Sequence, residues 1–150
     1  MEVSRTALPE FVAAFVGRLP TVPQKEAYLV GLKGELGAGK TTFVQEIARI
    51  LGVPQQVTSP TFVLVRTYPI ARPPFFRLIH VDAYRLHADD TDTFGFGAYR
   101  ADPQNLIFAE WPEHLPGKPV VDTSLEFRHS SRGLSPEGFQ SEDMREINSV

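Results

Sequence analysis

Cysteine is absent from the 150-residue chain, which excludes a disulfide scaffold, a thiolate zinc site and a cysteine nucleophile. No apolar run approaches the roughly 20 residues of a membrane-spanning helix. Acidic residues and a proline interrupt residues 1–19, where a signal peptide needs a continuous apolar segment. With 15 Lys and Arg against 18 Asp and Glu, the net charge is −3, so the chain lacks the basic excess that grips a nucleic-acid backbone unaided. We therefore expect a cytoplasmic protein that binds no membrane.

The remaining composition is that of an ordinary globular domain. Hydrophobic residues make up 42% and charged residues 22% of the sequence, and a chain of this length buries roughly 70% of its unfolded surface. We find no internal repeat and no sharp composition boundary. The sequence therefore predicts a single domain over residues 1–150, with a loop or irregular segment at residues 129–143, which are rich in Ser, Gly, Pro and acids.

The first half of the chain predicts a helix, a strand and a second helix. Leu8, Val12, Phe15 and Leu19 recur at helical spacing before Pro20. Residues 27–33 form a short apolar run of the kind found in strands that are buried on both faces. Residues 41–51 contain no Gly or Pro and carry an apolar stripe, which predicts a helix that stops at Gly52.

The second half predicts further strands. Residues 62–68 and 75–81 read as an antiparallel pair, separated by a breaker segment around Pro69, Pro73 and Pro74. Residues 106–109 are a compact apolar run, residues 88–104 indicate a helix plus loop, and residues 120–127 a strand. We predict a three-layer α/β fold of the P-loop NTPase type, with a mixed and partly antiparallel sheet.

Residues 34–41 read GELGAGKT and match the phosphate-binding pattern G-x-x-x-x-G-K-[ST] between a predicted strand and a predicted helix. Glycines let the backbone turn around phosphates, and successive N–H groups at the helix N-terminus supply donors. A glycine turn that merely caps a helix is the structural alternative. The nucleotide-binding interpretation assigns the contacts to Glu35, Leu36, Gly37, Ala38, Gly39, Lys40, Thr41 and Thr42, with Thr41 also a ligand of Mg²⁺.

Two acids that end apolar strands are candidates for the magnesium-side carboxylate. Glu110 closes the run at residues 106–109. Asp82 closes the run at residues 76–81, and period-two alternation places it on one face with His80 and Tyr84. Asp82 is then the organiser or base for the attacking water, with His80 beside it. The sequence leaves open which acid lies nearer the metal, and each also has a purely structural interpretation.

Residues 58–62 read TSPTF, with Pro60 fixing the backbone of a hydroxyl-rich turn. Beside a phosphate loop this segment resembles a switch, in which Thr58, Ser59 and Thr61 respond to nucleotide and Thr61 senses the γ-phosphate. Trp111, the single tryptophan, follows Glu110, and packing is as reasonable a role for it as base stacking or partner contact.

Taken in order, GELGAGKT, TSPTF, H-x-D-x-Y-R at residues 80–85 and E-W-P-E at residues 110–113 resemble the TsaE family, bacterial P-loop ATPases needed to make N6-threonylcarbamoyladenosine in tRNA. The resemblance implies that Lys40 binds ATP phosphates, that Thr41 and Glu110 serve Mg²⁺, and that Asp82 is catalytic or part of a switch. It also places His80, Tyr84, Arg85, Thr61 and Trp111 on motif positions. It further implies partners that form the threonylcarbamoyl-transfer complex and that hold the tRNA. In that complex, the resemblance implies, ATP hydrolysis drives a nucleotide-dependent switch that supports turnover rather than the transfer chemistry itself.

Two other functions share the phosphate loop. A small-molecule or nucleoside kinase also needs an acceptor site and a lid, and the sequence has no Arg-rich lid segment. A GTP-dependent switch needs a guanine-reading N-K-x-D motif, and none of the four lysines occurs in one. We therefore expect an ATPase subunit, with a kinase as the alternative.

Overall fold

The computed structural model describes residues 1–60, 64–89, 91–92, 94–129 and 145–149. None of the described helices is long and apolar enough to span a membrane. A short 3₁₀ turn at Pro112–His114 follows the fifth strand. In chain order the other elements are β1 (Glu2–Val3), α1 (Leu8–Arg18), β2 (Tyr28–Gly34), α2 (Lys40–Ile50), β3 (Val65–Arg72), β4 (Phe75–Asp82), α3 (Phe96–Ala101), β5 (Asn105–Glu110), β6 (Thr123–His129) and β7 (Arg145–Ser149).

The strands form one seven-stranded sheet in the order β1-β7-β6-β2-β5-β4-β3. The central strand β2 runs parallel to both β5 and β6, and β4 runs parallel to β5. The β3–β4, β6–β7 and β1–β7 pairs are antiparallel. The predicted mixed sheet is therefore confirmed, including the antiparallel hairpin of β3 and β4.

Helices cover both faces of the sheet, which makes the three predicted layers. Alternate residues of β5 enter two separate cores, as the pleat of a strand requires. Phe108 packs with Phe43 of α2 and Val12 of α1 on one face. Ile107 packs with Phe96 of α3 on the other. Because β5 is buried on both faces, its sequence is a continuous apolar run.

The predicted break at Pro69 is wrong. Pro69 lies inside β3, opposite Arg77 of β4, and only residues 73–74 form the turn of the hairpin. A strand tolerates a proline at the edge of a sheet, where one side of its backbone has no neighbour to bond. β3 is that edge strand, so the strand predicted for residues 62–68 is observed at Val65–Arg72.

Other boundaries also differ from prediction. The helix expected within residues 88–104 is confined to Phe96–Ala101; Asp92 accepts hydrogen bonds from the backbone N–H groups of Phe96 and Gly97 at its start. The strand expected at residues 120–127 is Thr123–His129, so His129 ends β6 rather than beginning a loop. The remainder of the predicted irregular segment, residues 130–143, lies outside the described residues.

Candidate nucleotide-binding site

The phosphate-binding loop connects the end of the central strand β2 to the start of α2. Gly37 and Gly39 have positive φ angles of 74° and 103°, a backbone conformation that glycine adopts without strain. Gly39 caps α2 without any side-chain hydrogen bond to the helix. The first N–H groups of α2 are therefore not taken by a capping side chain, and such a helix N-terminus suits a phosphate group.

Lys40 is buried at the first position of α2. Its Nζ donates hydrogen bonds to the backbone oxygens of Gly34 at 2.6 Å and Glu35 at 2.7 Å. The same Nζ lies 4.6 Å from the centroid of the Trp111 ring, a cation–π distance. Burial lowers the pKa of the Lys40 ammonium, and the nearby Glu110 and Asp82 carboxylates oppose that shift. The ammonium is thus held in the loop and faces acidic groups.

Thr41 and Glu110 form the central contact of the site. The Thr41 hydroxyl donates to Glu110 Oε1 at 2.7 Å. The sheet explains this contact: β5 lies directly beside β2, and Glu110 pairs with Leu32 just before the loop. A hydroxyl and a carboxylate are hard oxygen donors of the kind that Mg²⁺ prefers.

Asp82 lies one strand farther from the loop than Glu110. It ends β4 and pairs in register with Glu110, and Oδ1 accepts a hydrogen bond from the Tyr84 backbone at 3.0 Å. Asp82 is buried, 7% exposed, but lines the same cavity as Lys40. The topology therefore separates the two candidate acids: Glu110 contacts the loop threonine, and Asp82 lies beside Glu110 on the next strand and lines the same cavity.

His80 lies on the same face of β4 as Asp82, as the sequence led us to expect, but its hydrogen bond goes to a different acid. Its Nε2 lies 2.9 Å from Glu110 Oε1, on the neighbouring strand. In the register of β4 and β5, His80 is opposite Phe108 and Asp82 is opposite Glu110, so all four residues lie on one face of the sheet. The imidazole reaches diagonally to Glu110, whereas Asp82 turns to the following backbone.

A cavity of about 280 Å³ opens over the loop and brings most of the predicted residues together. Glu35, Ala38, Thr58, Pro60 and His80 are not among the residues that line it, although Glu35 holds Lys40 through its backbone oxygen. The cavity is lined by Leu36, Gly37, Gly39, Lys40, Thr41, Thr42, Ser59, Asp82, Tyr84, Arg85, Glu110 and Trp111.

The proposed switch segment reaches this cavity through Ser59. Gln45 of α2 donates to the backbone oxygen of Val57 at 2.9 Å, which ties the segment to the helix that follows the loop. Thr61 lies outside the described residues, so its predicted contact with the γ-phosphate stays a prediction.

Trp111 packs against neighbouring rings and also lines the cavity over the loop. Its ring stacks on His114 at 5.7 Å between centroids and tilts against Tyr84 at 5.1 Å. Its backbone is left-handed, with φ 58°, a conformation uncommon outside glycine, and its N–H donates to Leu32 O of β2. This conformation places the indole beside Lys40, a contact that no spacing in the sequence indicates.

The described residues contain no group of three or more His, Cys, Asp or Glu side chains that could hold a metal. Magnesium is commonly bound by one or two protein oxygens together with substrate phosphates and water. The Thr41 hydroxyl and the Glu110 carboxylate are oxygens of that kind.

A second, narrow cleft, which the sequence did not lead us to expect, lies next to the N-terminus of α2. Gly39 and Thr42 of the loop and α2 lie at one end of it. Its other walls come from the N-terminal segment and the far strands, which only the fold brings near the loop. The remaining lining residues are Val3, Ser4, Arg5, Leu8, Phe127 and Ile147.

A larger cavity of about 660 Å³ lies elsewhere, between α1 and strands β6 and β7. Phe11, Phe15, Leu125 and Ile147 are among its lining residues, and no residue of the phosphate-binding loop is. Size alone therefore does not identify the site; the convergence of Lys40 with the acids does.

The family model described as "Threonylcarbamoyl adenosine biosynthesis protein TsaE" matches residues 6–135. Relatives with the printed name tRNA threonylcarbamoyladenosine biosynthesis protein TsaE include one from Rickettsia bellii, 34% identical over 128 residues, with 83% of each chain covered. The Streptomyces coelicolor protein is 45% identical over 89 residues, with 57% of each chain covered. The Synechocystis protein is 36% identical over 94 residues, and the match spans 61% of this chain but only 58% of that protein.

Among solved structures, Bacillus subtilis YdiB superposes with a TM-score of 0.64 at 22% sequence identity, covering 98% of this chain and 80% of that one. At this identity the likeness concerns the fold. It agrees with the three-layer arrangement described above.

Proposed function

Because the chain belongs to the family of threonylcarbamoyl adenosine biosynthesis proteins named TsaE, we propose that it is a Mg²⁺-dependent ATPase subunit that supports N6-threonylcarbamoyladenosine formation in tRNA. The observation that carries the ATPase part is the 2.7 Å contact between Thr41 and Glu110 beside the buried Lys40. A phosphate loop, a loop hydroxyl and a strand-end carboxylate are together the protein's share of a magnesium nucleotide site.

The triphosphate binds over the N-terminus of α2. Lys40 exchanges the backbone oxygens of Gly34 and Glu35 for phosphate oxygens, and the N–H groups of the loop complete the cradle. Thr41 and Glu110 would hold Mg²⁺, which would neutralise phosphate charge there. Asp82, beside Glu110 in the sheet, would orient the attacking water, and Arg85 and Tyr84 line the same cavity.

The nucleoside half of ATP extends from Thr42 into the narrow cleft. In its present form the cleft holds only about 10 Å³ of free volume, so the base lies across its mouth or widens it. Leu8 and Phe127 supply an apolar surface there, and we propose a single domain in which the N-terminal segment contacts the nucleotide.

Partners supply the tRNA contacts in this proposal. The net charge of −3 gives the chain no overall attraction for an RNA backbone. The relatives' printed names place those proteins in tRNA threonylcarbamoyladenosine biosynthesis; the further proposals are that this chain acts there with the proteins of the transfer complex, and in the cytoplasm.

The fate of the γ-phosphate tests the ATPase proposal. Incubation with ATP and Mg²⁺ in ¹⁸O-labelled water, together with a panel of nucleosides and small-molecule alcohols, separates hydrolysis from transfer. We expect labelled inorganic phosphate and no phosphorylated acceptor. Phosphate transferred to a panel member would support the kinase alternative and contradict the proposal.

A further inference from the structure

His80 is fully buried, with 0% of the residue exposed. Its Nε2 lies 2.9 Å from Glu110 Oε1, the same oxygen that accepts the Thr41 hydroxyl. Its other ring nitrogen, Nδ1, is also buried and has no hydrogen-bond partner among the described residues. The ring thus makes one hydrogen bond, and that bond ends on the candidate magnesium ligand.

The position of His80 excludes direct contact with a nucleotide. The side chain does not line the cavity over the loop, and Glu110 stands between the imidazole and that cavity. His80 can therefore act on bound nucleotide or metal only through Glu110.

The hydrogen bond determines the tautomer of the ring. A carboxylate oxygen accepts, so Nε2 carries a proton and donates it to Glu110. Nδ1 is a buried polar atom without a partner among the described residues, which costs folding free energy. The one hydrogen bond of the ring is therefore directed at the Glu110 carboxylate.

The geometry points to His80 as the positioning residue of the magnesium site. Its N–H and the Thr41 hydroxyl both bind Oε1, which fixes the rotation of the Glu110 carboxylate, and Oε2 takes neither of these bonds. Residues that orient a metal ligand through a hydrogen bond commonly change metal affinity about 10- to 100-fold when replaced. This inference rests on the proposed function, because it takes Glu110 as a magnesium ligand.

The test compares two amides of equal polarity and different reach. In His80→Gln the amide nitrogen extends to about the place of Nε2, whereas in His80→Asn it ends near Nδ1, too far from Glu110 to donate. Binding of a non-hydrolysable ATP analogue is measured by calorimetry in EDTA and then over a Mg²⁺ titration.

We expect all variants to bind the analogue in EDTA with wild-type affinity within about threefold. The Mg²⁺ concentration that produces half of the magnesium-dependent change in analogue affinity should rise about 10- to 100-fold in His80→Asn. In His80→Gln it should stay close to the wild-type value.

Equal magnesium requirements in His80→Asn and the wild type would overturn the inference. Failure of the proposed function gives a different result: the wild-type protein would then bind no analogue or show no magnesium effect.

Discussion

Lys40 is the side chain on which the proposed nucleotide site depends most. Its ammonium is buried against two backbone oxygens and the Trp111 ring. These contacts are made within the loop, so removal of the ammonium leaves the apolar cores of the fold untouched.

Lys40→Ala should lower ATP affinity by at least tenfold, and by about 100-fold if the charged hydrogen bonds to phosphate contribute about 3 kcal/mol. Calorimetry gives the affinity, and circular dichroism checks the fold. The exposed Lys25, far from the cavity in sequence and absent from its lining, provides the control Lys25→Ala, which should bind normally. Unchanged ATP affinity in a folded Lys40→Ala protein would contradict the proposal that residues 34–41 bind the phosphates of ATP.

Neutralising Glu110 and neutralising Asp82 should have different effects on ATP hydrolysis. Glu110→Gln removes the charge of the proposed magnesium ligand, so the Mg²⁺ concentration needed for half-maximal hydrolysis should rise at least tenfold. Asp82→Asn removes the carboxylate proposed to orient water, so the hydrolysis rate should fall about 100-fold while the magnesium requirement stays within about threefold. Initial rates over a magnesium titration distinguish the two, and the reverse pattern would exchange the roles.

At the residue scale, the sequence predicts chemical types better than contacts. The loop motif identifies Lys40 and Thr41, and strand-end positions identify Glu110 and Asp82. Which acid meets Thr41 depends on whether β4 or β5 neighbours β2, and strand order is not encoded locally. The same lack of information led us to place His80 beside Asp82, although its hydrogen bond goes to Glu110.

At the scale of elements, the junction between β2 and the loop requires close packing against β6. Gly34 has φ 126°, and a Cβ built on it would lie 2.0 Å from the backbone oxygen of Phe127. No rotation of a side chain relieves a clash with backbone. The first glycine of the motif is therefore also a packing residue.

Gly34→Ala should lower the free energy of unfolding by about 2–5 kcal/mol, from the left-handed backbone and the displacement of β6 together. Gly52→Ala is the matched control: its φ is 76° but nothing lies within 4 Å of the added Cβ, so the backbone term of about 1–2 kcal/mol acts alone. Urea unfolding measures both. Equal losses in the two variants would contradict the close-packing argument.

Gly17→Ala should do the opposite. Gly17 lies within α1, and nothing lies within 4 Å of an added Cβ. Alanine should therefore raise the free energy of unfolding by about 0.5–1 kcal/mol through helix propensity. The same urea experiment measures it, and a loss of stability would contradict the placement of Gly17 on an open helix face.

Elements with strong internal periodicity were predicted well, and elements that depend on distant partners were not. α1 and α2 follow from apolar stripes, and β2 and β5 from continuous apolar runs. β1 is two residues long and pairs with β7, about 140 positions away in sequence, so no local pattern marks it. Pro69 misled the prediction because its tolerance depends on β3 being an edge strand, which is a property of the whole sheet.

At the scale of the whole molecule, a nucleotide signal has to reach a partner. Trp111 is placed for this, because its ring contacts Lys40 on one side and His114 on the other, and Tyr84 beside it is 43% exposed. In the proposed function Lys40 moves to phosphate when ATP binds, which would change the surroundings of the indole.

As the single tryptophan, Trp111 should give different emission spectra with a Mg²⁺–ATP analogue and with Mg²⁺–ADP. Trp111→Phe should reduce partner-dependent function more than nucleotide affinity. Lys40→Ala is the control, and its spectrum should respond to neither nucleotide. Identical wild-type spectra in both states, with a fully active Trp111→Phe protein, would contradict the role of Trp111 in transmitting the nucleotide signal to a partner. The ATPase proposal would be unaffected.

The central claim is that this magnesium nucleotide site supports repeated rounds of tRNA modification. The most direct measurement is the yield of N6-threonylcarbamoyladenosine per transfer complex, by mass spectrometry of digested tRNA, in a reaction reconstituted with the partner proteins and excess ATP. We expect many modified tRNAs per complex with the wild-type chain, and about one or fewer with Lys40→Ala or without the chain. Equal multiple-turnover yields in all three reactions would contradict the account.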